Sequence, residues 1–280
     1  MTQIEVNNKT YHYQEIPNTD NKEVLEFLVY IQTLYNICRK LLISILRENK
    51  KVKTTIGFVG GIIDRISESL ISIMLLSSKG LSTDVAIILV NLIELRTDLK
   101  YISKKPNKIE EWFNHGKRWT KPWRFSNQIK EITNNEKELE LEKTIYEACS
   151  IAKHGNPVGY DIGFNIGLKD NGIFYTKSNK EYRLTDYLFW TYVYTSDSIK
   201  SSLDIVYKFG INLSYIIDEL DEVSKRVEAL FKRILNQKVM DYVYRENPEL
   251  VEIDKELERL QLEEIRLKAE IESIEKQIRK

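Results

Sequence analysis

Proline and glycine are scarce in this chain, at 5 and 11 of 280 residues. That scarcity, beside abundant Leu, Ile, Glu and Lys, favours a mostly helical protein. There are two cysteines, Cys38 and Cys149, each inside an apolar helical pattern. Their count and spacing exclude a disulfide framework and a cysteine-based zinc site, so both read as small buried thiols of a reducing compartment. Excess charge is also missing, with 42 Lys+Arg against 42 Asp+Glu. Any nucleic-acid binding therefore has to come from a local patch. The opening "MTQIEVNNKTYHYQEIP" lacks an apolar core of signal-peptide length, and "DVAIILVNLIEL" (84–95) is too short to span a bilayer. No Gly-rich phosphate loop, HExxH, CxxC pair or nucleophile elbow occurs. The expectation is a soluble cytoplasmic protein without membrane, metal or cofactor.

What is present is helical periodicity. Residues 1–20 alternate weakly and read as an extended N-terminal arm. A first helix is predicted over 22–49, from apolar residues that include Leu25, Leu28, Ile31, Leu34, Leu41 and Ile45. A second is predicted from about Gly60 to Ser78, with Gly80 as its C-cap. The third starts at "STD", which supplies N-cap chemistry, and ends at Lys104 and Lys105. A basic, aromatic connector (104–132) leads to a fourth helix at about 135–154. The alternating Ile162, Phe164, Ile166 and Leu168, turned at Asn171-Gly172, mark a β-hairpin at about 160–177. Helices at about 183–208 and 212–238 complete a domain over 21–238.

The tail, 239–280, is a coiled-coil helix. Ile253, Leu257, Leu260, Glu264, Leu267, Ile271, Ile274 and Ile278 step alternately by 4 and 3, a heptad seam among charged residues. A lone helix has nowhere to bury such a stripe, so it is expected to pair with a second copy or a partner protein, or to fold back on the domain.

Three polar features stand out as candidate sites. On the third helix, Asp84, Asn91, Glu94 and Asp98 fall on one face of an otherwise apolar segment. Buried acids need partners, so this stripe faces a cavity or meets cations from a neighbouring helix. On the fourth helix, Glu147, Ser150 and His154 share a face suited to acid–base work. Helix capping by His154, Gly155 and Pro157 explains the same residues without a site. In the connector, nine basic residues from Lys100 to Lys130 face only Glu110 and Glu111. Lys117, Arg118, Trp119, Lys121, Trp123 and Arg124 mix cations with aromatic faces, as single-stranded RNA requires. A loop pinned to the core by its tryptophans fits the same composition.

"LSTDVAIILVNLIELRTDLKYI", then "WFNHGKRW", then "YEACSIAKHG" resembles the bacterial DUF5677-type proteins, which are similar to the wider HEPN superfamily of helical bundles. The resemblance covers roughly residues 60–156. It implies a HEPN-like bundle of a bacterial toxin or anti-phage defence system that binds or cleaves RNA without metal. Such sites place an Arg and a His a few residues apart on one helix at a dimer interface. His154 matches the His, but Glu147, Ala148 and Cys149 stand where the Arg is expected. The resemblance thus casts His154 as general acid/base, with Ser150 or Asn156 positioning. A cation then has to come from Arg96, Arg118 or Lys153, and Asn91, Glu94 and Asp98 support the site. A non-catalytic interaction module, assembled through the coiled coil, is the alternative; metal chemistry at Glu94, Asp98, Glu147 and His154 is a third.

Overall fold

Phe27, Ile31, Leu34, Cys38, Leu41 and Ile45 recur every three or four residues and are buried, which makes α1 (Lys22–Glu48) an amphipathic core helix. Leu25, expected in that stripe, is exposed. The computed structural model describes residues 2–6, 9–13, 18–48, 54–115, 122–133, 135–153, 164–169, 172–177, 180–246, 256, 259–260, 263 and 266–268. Among them the chain is mostly helical.

α2 (Thr54–Ser78) starts before the predicted Gly60. Ile56, Phe58 and Val59 are buried, and that burial outweighs the poor helix propensity of the glycines around them. Gly80, at φ +70°, ends the helix in a Schellman motif: Leu81 N–H donates to Leu76 O and Gly80 N–H to Ser77 O. The turn feeds α3 (Ser82–Lys104), whose Leu81 cap makes no side-chain hydrogen bond. The expected N-cap chemistry is therefore not used; Ser82, Thr83 and Asp84 lie inside the first turn, where Asp84 suits the dipole.

The connector contains a 3-10 turn (Pro106–Lys108) and two short helices, α4 (Ile109–His115) and α5 (Phe125–Ile132). α6 runs from Glu136 to Lys153. Phe164–Lys169 (β3) pairs antiparallel with Gly172–Lys177 (β4), Phe164 opposite Lys177. Thr2–Val6 (β1) and Lys9–Tyr13 (β2), read as an extended arm, pair with each other, Thr2 opposite Tyr13. α7 (Lys180–Tyr207) ends in a second Schellman turn at Gly210, φ +81°.

α3 is the central element: it packs on α2, α5, α6 and α7, while α1 lies against α2 and α7. α8 (Ser214–Glu246) does not stop at 238 as predicted. The chain divides into two compact units, Met1–Ala229 and Leu230–Lys280. In the second unit the described seam residues Leu260 and Leu267 are 50% and 52% exposed. Ile253, Leu257, Ile271, Ile274 and Ile278 lie outside the described residues.

Candidate functional site

Arg96 sits in an apolar helix and is only 4% exposed, so its charge requires partners. α6 supplies Glu142, 2.8 Å from one terminal nitrogen, and α7 supplies Asp197, 2.7 Å from the other. Tyr194 donates its hydroxyl to Glu142 at 3.1 Å, and its ring lies 5.4 Å from the guanidinium carbon. Lys100, one turn along α3, reaches Asp197 at 3.3 Å. Burial works against the Arg96 charge, yet Glu142 and Asp197 hold its pKa above the usual value. Burial likewise opposes the Asp197 carboxylate, but Arg96 and Lys100 keep its pKa below the ordinary range. Burial and then Glu142 push the Tyr194 phenol well above its ordinary value. Arg96 was one of three cations, with Arg118 and Lys153, that the resemblance left to serve catalysis; the structure commits it to two carboxylates in the interior. The sequence signal for Glu142 and Asp197 was Arg96 itself, a charge in an apolar helix that must find acids elsewhere.

Three members of the α3 stripe hydrogen-bond to neighbouring helices. Asp98 is buried and accepts Gln128 Nε2 of α5 at 2.8 Å. Asn91 donates to Ser69 Oγ of α2 at 3.2 Å. Glu94 accepts the Tyr146 hydroxyl of α6 at 3.0 Å. Asp84, at the start of the helix, is exposed.

Tyr146 thereby joins the α3 stripe to the α6 polar face. Burial raises its pKa first, and the Glu94 charge adds to that. Ser150, one turn on, stands close enough to favour the ionised form instead. Phe125, the first residue of α5, stacks on the Tyr146 ring at 4.0 Å and 17°. Three segments therefore converge here: the α3 acid, the α6 phenol and hydroxyl, and the end of the basic connector. Glu147 is exposed. His154 and Asn156 lie outside the described residues.

In the connector, Trp123 is 9% exposed and packs on Tyr101 with ring centroids 5.0 Å apart. Of the two readings of the connector, RNA stacking and a loop pinned to the core by its tryptophans, Trp123 follows the second, as the apolar area of an indole favours. Trp112 is similarly placed, edge-on to Phe58 at 4.9 Å. Arg124, exposed and extended (φ −83°, ψ 138°), directly precedes the stacked Phe125. Lys117, Arg118, Trp119 and Lys121 lie outside the described residues.

Beside Glu94, a cleft of about 430 Å³ opens between α2 and α3. Arg65, Glu68, Ser69, Ser72, Asn91 and Glu94 supply its polar lining, and Ile87, Ile88 and Val90 its apolar part. Among the described residues no group of three His, Cys, Asp or Glu side chains is placed to hold a metal ion. Among them, too, no helix is long and apolar enough to cross a membrane. Comparison with protein-family models, with curated proteins and with solved structures yields no match to this chain.

Proposed function

We propose that this chain is a HEPN-like helical protein of a bacterial anti-phage defence or toxin system that binds or cleaves RNA. The observation that carries the reading is the convergence at Tyr146. An acid from α3, the phenol and Ser150 of α6, and Phe125 of the connector meet at one place, with Arg124 next to Phe125 in the chain. His154 follows Ser150 by one helical turn in the sequence. In the cleavage reaction a ribose 2′-OH attacks the adjacent phosphorus and the 5′ oxygen leaves, giving a cyclic phosphate. His154 takes or returns the proton; Ser150 and Asn156 position the phosphate. The cation that steadies the phosphorane comes from the connector, through Arg118 or Arg124, because Arg96 is committed to Glu142 and Asp197. The tail seam brings two copies together through Leu260, Leu267 and their heptad companions.

The test is an RNA integrity assay in chelator-containing buffer, comparing wild type with His154→Ala. Cleavage that disappears with the substitution supports the reading; intact RNA with both proteins removes catalysis from it.

A non-catalytic interaction module is the second reading. The sealed Arg96 pair favours it, because no described arginine stands on the α6 face. Under this reading the half-exposed Leu260 and Leu267 engage a partner protein.

A further inference from the structure

α2 has a face that its own chain leaves uncovered. At about 100° per residue, Gly57, Gly61, Glu68, Ile71 and Leu75 fall within about 80° of arc, with Arg65 on the flank. All six are exposed, and Ile71 and Leu75, at 40% and 65%, place large apolar side chains in water. From Gly57 to Leu75 the stripe follows about 27 Å of helix. The α2–α3 cleft opens along the Arg65 and Ser72 flank, which leaves room for another helix beside α3.

The fold of the chain does not account for the outer glycines. Glycine is the poorest helix former after proline, so its place in mid-helix calls for a close approach. Gly60 makes one within the chain, because a Cβ there would lie 3.6 Å from Leu42 Cδ1 of α1. At Gly61 an added Cβ meets nothing within 4 Å. A bare backbone at Gly61 therefore serves a neighbour from outside the chain.

The order of residues along the stripe identifies that neighbour. The glycines stand at the start, Ile71 and Leu75 at the end, and Arg65 and Glu68 in the middle. A second copy of α2, laid antiparallel with the two-fold axis near residue 66, brings Gly57 level with the partner's Leu75. The same axis brings Gly61 level with the partner's Ile71. Arg65 then faces the partner's Glu68, and Glu68 the partner's Arg65. Among the described residues neither of these side chains forms an ion pair within its own chain. A parallel pair would instead set arginine against arginine and glycine against glycine. We propose that the outer face of α2 docks on the same face of a second copy, antiparallel, with Ile71 and Leu75 seated on the partner's glycines and Arg65 paired with the partner's Glu68. The contact depends neither on the tail seam nor on RNA.

The experiment uses the full chain in two added-cysteine forms, Thr54→Cys and Lys79→Cys, and a short bismaleimide cross-linker. Both positions are exposed, and the native Cys38 and Cys149 are buried. Across the proposed pair, position 54 is level with position 79, whereas two copies of either position stand about 35–40 Å apart along the axis. A mixture of the two forms is expected to give a covalent dimer with one of each, and either form alone only traces. Gly61→Leu, introduced into both, should abolish the cross-link without lowering the thermal unfolding temperature, since the chain has room for the side chain. Arg65→Glu should cut the yield about 10-fold at subsaturating protein, and adding Glu68→Arg should restore it. A mixture that gives no covalent dimer overturns the contact. Equal linking of either form alone overturns the antiparallel register, and a link that survives Gly61→Leu overturns the glycine seat.

Discussion

Arg96 of α3 and Glu142 of α6 form a 2.8 Å ion pair in the interior, and Asp197 of α7 closes on the same guanidinium. One side chain thus fixes the approach of two helices to a third. Two acids around one buried cation also tolerate its loss poorly, because Glu142 is then left with only the Tyr194 hydroxyl and Asp197 with only Lys100 among the partners described above. Arg96→Met is expected to cost about 3–5 kcal/mol, the usual penalty for breaking a buried pair. Adding Glu142→Gln and Asp197→Asn should recover part of that loss in urea unfolding. A triple variant no more stable than Arg96→Met argues that packing, and not charge, dominates here.

Acid should expose the same network. The Asp197 carboxyl has a depressed pKa in the folded chain, so the unfolded chain binds its proton more readily. Its contribution is present above the ordinary aspartate range, near 3.9, and is lost as pH falls through the lower folded value. Asp197→Asn should therefore be less stable than wild type at neutral pH, with the gap shrinking toward acid. Denaturation series at stepped pH measure this directly; a gap independent of pH contradicts it.

The junction at Tyr146 makes a smaller claim. Tyr146→Phe removes a hydrogen bond to a carboxylate but keeps the stacking on Phe125. A loss of about 1–2 kcal/mol is expected. Combining it with Glu94→Gln should cost less than the sum of the two, since both changes act on one bond.

Both thiols should be silent in the native protein. Burial pushes Cys38 and Cys149 up to about 12, so almost no thiolate exists near neutrality. A thiol reagent at pH 8 should label neither residue until denaturant is added. Rapid labelling of either one in the native state means that its helix opens readily.

Removal of the tail tests assembly. Truncation after Gln237 retains the first compact unit, Met1–Ala229, and deletes the seam. Light scattering is expected to show a folded protein of lower oligomeric state; an unchanged oligomer assigns assembly to another surface.

Helical periodicity made most of the fold legible. α1, α6 and α7 lie close to where their apolar spacing puts them, because each buries one stripe. The start of α2 was hidden, since the helix was expected only from about Gly60 and the burial of Ile56 and Phe58 is what extends it back to Thr54. The short α4 and α5 were hidden for a different reason: they are held by Trp112 and Trp123 packing on distant residues. The polar stripes were visible as helix faces, but not what they meet. Glu94 finds Tyr146 at a separation of 52 residues, and Arg96 finds Asp197 at 101. Spacing within one helix carries no information about such pairings.

The 101-residue separation between Arg96 and Asp197 bears on how the chain is made. While the chain is being synthesised, α3 emerges long before α7, so its guanidinium can meet Glu142 of α6 first and gains its second acid only with Asp197. A nascent chain ending short of α7 can assemble the α1–α2 pair and offer Glu142 to Arg96, yet it lacks Asp197 and the helix that covers that side of α3. Closure of the interior around α3 thus waits for α7, and premature release before it yields a chain that cannot complete its own centre.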